Sequence, residues 1–132
     1  MKLTLAEIKA AGLAAYQAGQ LSAQGPEPAC LYRDGAGRPC VIGAAMPEAF
    51  LDTDPEEDSF WGKSISDLVD DEYVEMDLEE LPAARRLQAI HDRWAQIENY
   101  TIEPDEPCRL LPELQGLTID DLKALLVAEL TA

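Results

Sequence analysis

The stretch that most constrains the fold runs from residue 30 to residue 46, CLYRDGAGRPCVIGAAM. Two short apolar segments flank residues 34–37, where Asp-Gly and a second glycine are typical of a turn with positive φ. Pro39 is tolerated at the start of a strand, where the first residue need not donate a ladder hydrogen bond. We therefore predict a β-hairpin with strands at 30–32 and 40–42, running into a short helical turn.

Helix boundaries are predicted from capping residues and from the spacing of apolar positions. Thr4 and Glu7 match a capping box, and Ser64 and Thr118 are each followed three residues later by an aspartate in the first turn. A stripe of apolar residues at three- and four-residue spacing marks the longest helix. The predicted helices cover 4–18, 64–69, 82–99 and 118–130, with one helical turn at 43–46. The predicted fold class is α+β: a small β-hairpin packed with four to five helices in one mostly helical domain, 1–132.

The charge balance excludes several classes of partner. Asp and Glu number 26 and Lys and Arg number 10, so the formal net charge is -16. Such a chain repels nucleic acid and anionic membranes, and its natural partners are basic protein surfaces. No apolar run reaches the roughly 20 residues that span a bilayer, and the amino terminus lacks a signal-peptide pattern. We expect no direct nucleic-acid binding, no membrane association and a cytoplasmic location.

Most of the negative charge is concentrated in one part of the chain. Residues 48–80 contain 14 acids and one base, Lys63. This crowding opposes folding through self-repulsion, so a surface kept at that cost is expected to meet something basic. The alternative is a solvated, partly flexible segment that only keeps the protein soluble. The predicted partner-binding residues are Asp52, Asp54, Glu56, Glu57, Asp58, Asp70, Asp71, Glu72 and Glu75.

Three cysteines and one histidine are the candidate zinc ligands: Cys30, Cys40, Cys108 and His91. Two of them could approach each other across the hairpin, but no C-x-x-C pair is present and the four are scattered. Buried structural thiols and a core histidine are the simpler interpretation, and we predict no metal. A calcium loop starting at Asp52 would lack the glycine at its sixth position and the glutamate at its twelfth.

Nucleophilic catalysis would require Cys30 or Cys40 to pair with His91, and no spacing supports such a pair. The chain contains no G-x-S-x-G, no phosphate-binding glycine loop and no dinucleotide-binding fingerprint. We therefore predict a protein that is not an enzyme and that carries no cofactor.

One combination of short motifs resembles a group of small phage and prophage proteins. It consists of C-x-Y at Cys30, G-x-x-C-x-I-G ending at Gly43, M-P-E at Met46, G-K-S-I-x-x-L at Gly62 and L-Q-x-x-H-D at Leu87. The shared residues have the character of scaffold, and the group carries no activity to transfer. By analogy with acidic anti-CRISPR proteins, the resemblance implies a phage-encoded inhibitor that binds a basic nucleic-acid-binding surface of a host defence complex, such as a CRISPR effector. The alternative is a small structural or zinc-stabilised phage domain without nucleic-acid mimicry.

Overall fold

The computed structural model describes residues 1–22, 32–33, 37–55, 60, 63–99 and 102–132. Within these ranges the chain forms α-helices, two 3₁₀ turns and connecting loops. The helices are α1 (Leu5–Gln17), α2 (Glu48–Leu51), α3 (Ile65–Asp70), α4 (Leu81–Glu98) and α5 (Ile119–Thr131), and the 3₁₀ turns are Gly43–Ala45 and Pro112–Leu114.

The predicted α+β class with a β-hairpin is wrong, because the described part of the chain is helical and contains no strand. Arg33 and Pro39 form only an isolated antiparallel bridge. Residues 40–42 do not continue it: Ile42 has helical φ and ψ and leads into the 3₁₀ turn at Gly43. The remaining hairpin residues, 30–31 and 34–36, lie outside the described residues.

Three of the four predicted helix starts are confirmed by their caps; the fourth helix, α4, begins at Leu81, one residue before its predicted start, and has no side-chain cap. The side chain of Thr4 accepts a hydrogen bond from the Glu7 amide at the start of α1. Ser64 and Thr118 each form a complete capping box with the aspartate three residues later, at the starts of α3 and α5. These caps satisfy amide groups that the first turn of a helix leaves without partners.

The core lies where α1, α4 and α5 meet, and α3 packs on α4. Helix α4 contributes most to it, because Leu87, Ile90 and Trp94 on one face are all buried. On α1, a Cβ at Gly12 would lie 3.0 Å from a methyl carbon of Val41. Because glycine has no side chain, α1 can approach Val41 closely at this point. No described helix is both long enough and apolar enough to cross a membrane.

Gly43 explains why the chain turns sharply after residue 42. A Cβ at this position would lie 2.1 Å from the carbonyl oxygen of Tyr32, a distance that no side chain can occupy. The same carbonyl accepts a hydrogen bond from the Cys40 amide at 3.1 Å. The 3₁₀ turn therefore packs directly on the backbone of residue 32, and this contact replaces the second strand of the predicted hairpin.

Candidate functional site

Residues 67–80, which we call the acidic segment, contain eight of the carboxylates and no basic residue. The amino terminus of the chain runs alongside it and fixes its backbone. The Met1 amine donates to the Tyr73 carbonyl at 2.6 Å, and the Glu75 amide donates to the Met1 carbonyl at 2.7 Å. The Leu3 amide completes the contact by donating to the Glu75 carbonyl at 3.0 Å.

Buried apolar residues alternate with exposed acids after α3. Val74 and Met76 are 2% and 8% exposed, whereas Glu75 and Asp77 on either side of Met76 are exposed. Because the apolar side chains anchor the segment in the core, the neighbouring carboxylates are turned to solvent. The exposed acids of the segment are Asp67, Asp70, Asp71, Glu72, Glu75, Asp77 and Glu79.

The junction between α3 and this segment has an unusual backbone. Helix α3 ends in a Schellman motif, in which Glu72 donates to the Val69 carbonyl and Tyr73 donates to the Leu68 carbonyl. The residue at the left-handed position of this motif is Glu72, with φ of 66°. Glycine normally takes that position because a side chain there is strained. An exposed carboxylate is thus held in an unfavourable conformation in the middle of the acidic segment.

Two further residues of the acidic segment, Leu78 and Glu80, are not exposed charges. Leu78 is 72% exposed between Asp77 and Glu79, so a large apolar side chain stands among the carboxylates. Glu80 has a structural role, because its side chain accepts a hydrogen bond from the Leu5 amide in the first turn of α1. Sequence reasoning did not single out Leu78, since an isolated leucine in a polar stretch carries no signal of its exposure.

The other predicted partner-binding residues fall into three cases. Asp52 is exposed in the loop after α2. Asp54 does not lie on the surface: it is 3% exposed, and its carboxylate accepts a hydrogen bond from the Phe60 amide at 2.9 Å. This hydrogen bond links residues 54 and 60. Because Asp54 is buried, it cannot be part of a docking surface. Glu56, Glu57 and Asp58 lie outside the described residues.

Phe60, which Asp54 holds, is fully buried and has φ of 61°. Its ring stacks on Phe50 with 5.2 Å between centroids and packs at a tilt against Tyr73 at 5.0 Å. Phe60 is therefore anchored in the core by aromatic contacts. Through Tyr73 the same aromatic cluster packs against the middle of the acidic segment.

The candidate zinc ligands have separate structural roles where they are described. Cys40 is buried, and its Sγ accepts a hydrogen bond from the Gly43 amide at 3.2 Å. His91 is 1% exposed, and its Nδ1 accepts from the Val41 amide at 3.1 Å. Cys108 is partly exposed, and Cys30 lies outside the described residues. Among the described residues, no group of three or more His, Cys, Asp or Glu side chains could hold a metal ion.

The glutamine of the L-Q-x-x-H-D motif also supports the fold. Gln88 is buried on α4, and its Oε1 accepts a hydrogen bond from the Ile65 amide at 2.9 Å, at the start of α3. Its Nε2 donates to the Tyr32 hydroxyl at 3.2 Å, and that hydroxyl donates to the Lys63 carbonyl at 2.7 Å. Gln88 therefore fixes the helix from which the acidic segment continues.

The charged contacts between α4 and α5 are arranged around Arg86. Its guanidinium lies 2.8 Å from Glu129 on α5 and 2.5 Å from Glu113 in the second 3₁₀ turn. The hydrogen bond from Arg86 lowers the pKa of Glu113, and the two carboxylates raise the pKa of Arg86. The pKa of Asp121 is lowered by the hydrogen bonds of its capping box with Thr118. These groups stabilise the α4–α5 pairing and lie apart in sequence from the acidic segment.

A scan against protein-family models finds no match, and neither do searches of curated proteins and of solved structures.

Proposed function

We propose that this chain is an acidic binding protein that docks through its acidic segment onto a basic surface of another protein, one that otherwise holds nucleic acid. The observation that carries the proposal is the fixed backbone of residues 67–80, which turns seven carboxylates to solvent with no base among them. A surface ordered before binding loses less conformational entropy on association than a flexible acidic tail would.

The strained residue supports the same proposal. Glu72 occupies the left-handed position at the end of α3, where glycine would be less strained. Backbone strain that the surrounding structure maintains is concentrated at functional sites in proteins. A carboxylate at this position, beside Asp70 and Asp71, raises local charge density at the expense of stability, which is consistent with a binding role.

Leu78 supplies an apolar contact among the charges. Protein interfaces combine apolar contact at the centre with a polar rim, and charge complementarity governs association rate and selectivity. An exposed leucine flanked by Asp77 and Glu79 matches that arrangement. The partner is therefore expected to offer a small apolar depression within a basic surface.

In its narrower form, the proposal is that the chain is a phage-encoded inhibitor of a host defence complex, with the nucleic-acid channel of a CRISPR effector as its target. This form rests on analogy with acidic inhibitors of such complexes. It is tested by adding the protein to purified effector complexes and measuring their binding to target DNA.

The general proposal is tested by charge reversal with a matched control. In the test variant, Asp70, Asp71 and Glu75 are changed to Lys. In the control variant, three exposed acids outside the segment, Glu98, Glu103 and Asp105, are changed to Lys. Both variants have the same net charge, so they separate the location of the charges from their sum.

Tagged parent and variant proteins are used to capture proteins from bacterial lysate, with and without competing duplex DNA and at low and high salt. We expect the parent to capture nucleic-acid-binding proteins that DNA displaces. Capture should weaken by at least about tenfold from 50 to 500 mM salt, since screening acts on exposed charges. It should be lost in the test variant and kept in the control. Equal capture by the two variants would refute the proposal.

A further inference from the structure

A cavity of about 330 Å³ opens where the end of α1 meets α4 and α5. It is lined by Tyr16, Gly19, Leu21, Trp94 and Lys123. Its volume lies at the lower end of the range for small-molecule sites. The cavity is formed by other elements than the acidic segment, and the proposed function makes no use of it.

Two residues of the cavity wall, Tyr16 and Trp94, are aromatic. The Tyr16 ring meets the Trp94 ring edge-on, with 6.4 Å between centroids. The Nζ of Lys123 lies 5.1 Å from the centroid of the Trp94 ring, in the geometry of a cation–π contact. Lys123 has no carboxylate partner among the described residues, so its ammonium is left to interact with a ligand.

Trp94 provides a second, independent observation. The residue is 7% exposed, and its indole Nε1 is buried without a hydrogen-bond partner among the described residues. A buried indole N–H usually finds a partner, because leaving it unpaired costs free energy. Because this nitrogen has no exposed surface, a ligand in the cavity reaches it only when the indole ring turns toward the cavity.

His91 adds another donor beside Trp94. The two rings lie 5.0 Å apart. Because Nδ1 of His91 accepts a hydrogen bond from the Val41 amide, the proton of the neutral imidazole is on Nε2. This Nε2 is likewise buried without a partner in the described part of the chain. His91 does not line the cavity, and of the described residues that do, only Lys123 carries a charge, an ammonium that donates.

We propose that this cavity binds a small planar aromatic carboxylate. The aromatic walls and Leu21 would contact the ring, and the Lys123 ammonium would pair with the carboxylate. Binding is non-covalent. Ligand specificity comes from the Lys123 ammonium, since an uncharged ligand offers it no carboxylate to pair with.

Indole-3-acetate and phenylacetate are the probes, with phenylacetamide as the uncharged control. Calorimetry is run at about 0.3 M salt, which screens the repulsion between an anion and the acidic protein as a whole. We expect saturable binding of one carboxylate per chain and at least tenfold weaker binding of the amide. Lys123→Met should weaken carboxylate binding by about tenfold, whereas Lys9→Met, which removes an equal charge from α1, should leave it unchanged.

The indole N–H resonances provide a readout that a purely structural role of Lys123 would not move. The chain has two tryptophans, and the Trp94 signal is identified by its loss in Trp94→Phe. The carboxylate should shift the Trp94 indole N–H signal and leave that of Trp61 in place. The proposal is overturned if no probe binds saturably up to about 5 mM, if the amide binds as tightly as the acid, or if the Trp94 signal stays fixed.

Discussion

Replacing Glu72 with glycine tests whether the acidic segment is held in a strained conformation. Glu72, the residue after the C-cap of α3, has φ of 66°. The end of α1 provides a matched reference, because Gly19 has φ of 67° in an equivalent Schellman motif. The two helix ends use the same backbone geometry with different residues.

The expected gain in stability of Glu72→Gly is the difference between two opposing free-energy contributions. An L-residue in the left-handed region costs roughly 1–2 kcal/mol, and glycine avoids this cost. Glycine loses about 0.4–1 kcal/mol more conformational entropy on folding than a residue with a Cβ. We expect Glu72→Gly to stabilise the protein by about 0.5–1 kcal/mol. For a chain of 132 residues this corresponds to a rise in Tm of about 2–4 °C.

The assay is thermal unfolding followed by circular dichroism, with two controls. Glu72→Gln keeps the strained side chain but removes the charge, so it isolates relief of repulsion from Asp70 and Asp71. Gly19→Ala should lose about 0.5–1 kcal/mol, since a Cβ there meets nothing within 4 Å and only the backbone conformation is penalised. Equal stability of Glu72→Gly and Glu72→Gln, or an unchanged Tm in Gly19→Ala, would refute the reasoning.

Three other substitutions have expected outcomes. Gly43→Ala places a Cβ 2.1 Å from the Tyr32 carbonyl oxygen and should cost more than about 4 kcal/mol, seen as loss of the folded fraction in urea. Gln88→Leu leaves the first amide of α3 without its acceptor and removes the donor to the Tyr32 hydroxyl, and it should cost about 2–3 kcal/mol in the same assay. The pKa of Glu113 is lowered from 4.5 by its bond to Arg86, so its contribution is present above pH 4.5 and lost as the pH falls through the lower folded value. Glu113→Gln should therefore lower Tm at pH 7, and the difference from the parent should shrink in acid; a constant difference would contradict this assignment.

The helices were predictable because their signals are local. Thr4, Ser64 and Thr118 each stand before an apolar periodic stretch with an acid three residues later, and each caps a helix in the structure. The buried stripe of α4 followed from residue spacing in the same way. Arg93 is an exception, because residue spacing does not indicate that this charged side chain is buried: it is 4% exposed and donates to the carbonyls of Pro104 and Glu106.

The features that sequence reasoning missed depend on contacts between distant residues. A three-residue apolar run such as 40–42 does not distinguish a strand from a turn. The Cys40 amide donates to the Tyr32 carbonyl, and the Val41 amide donates to the His91 ring instead of to a neighbouring strand. The burial of Asp54 depends on the Phe60 amide, and no local pattern identifies that pairing. The Trp94 cavity is formed by residues from three helices, so its lining could not be assembled from sequence spacing.

The central claim is that the acidic segment has a fixed backbone that presents its carboxylates to solvent. Amide hydrogen exchange of the intact protein at neutral pH tests this claim most directly. The amides of Tyr73 and Glu75 donate to Leu68 and Met1, so the account predicts that they are protected to an extent similar to the amides of α4. Exchange of both amides at the rate of an unstructured peptide, while α4 stays protected, would contradict it.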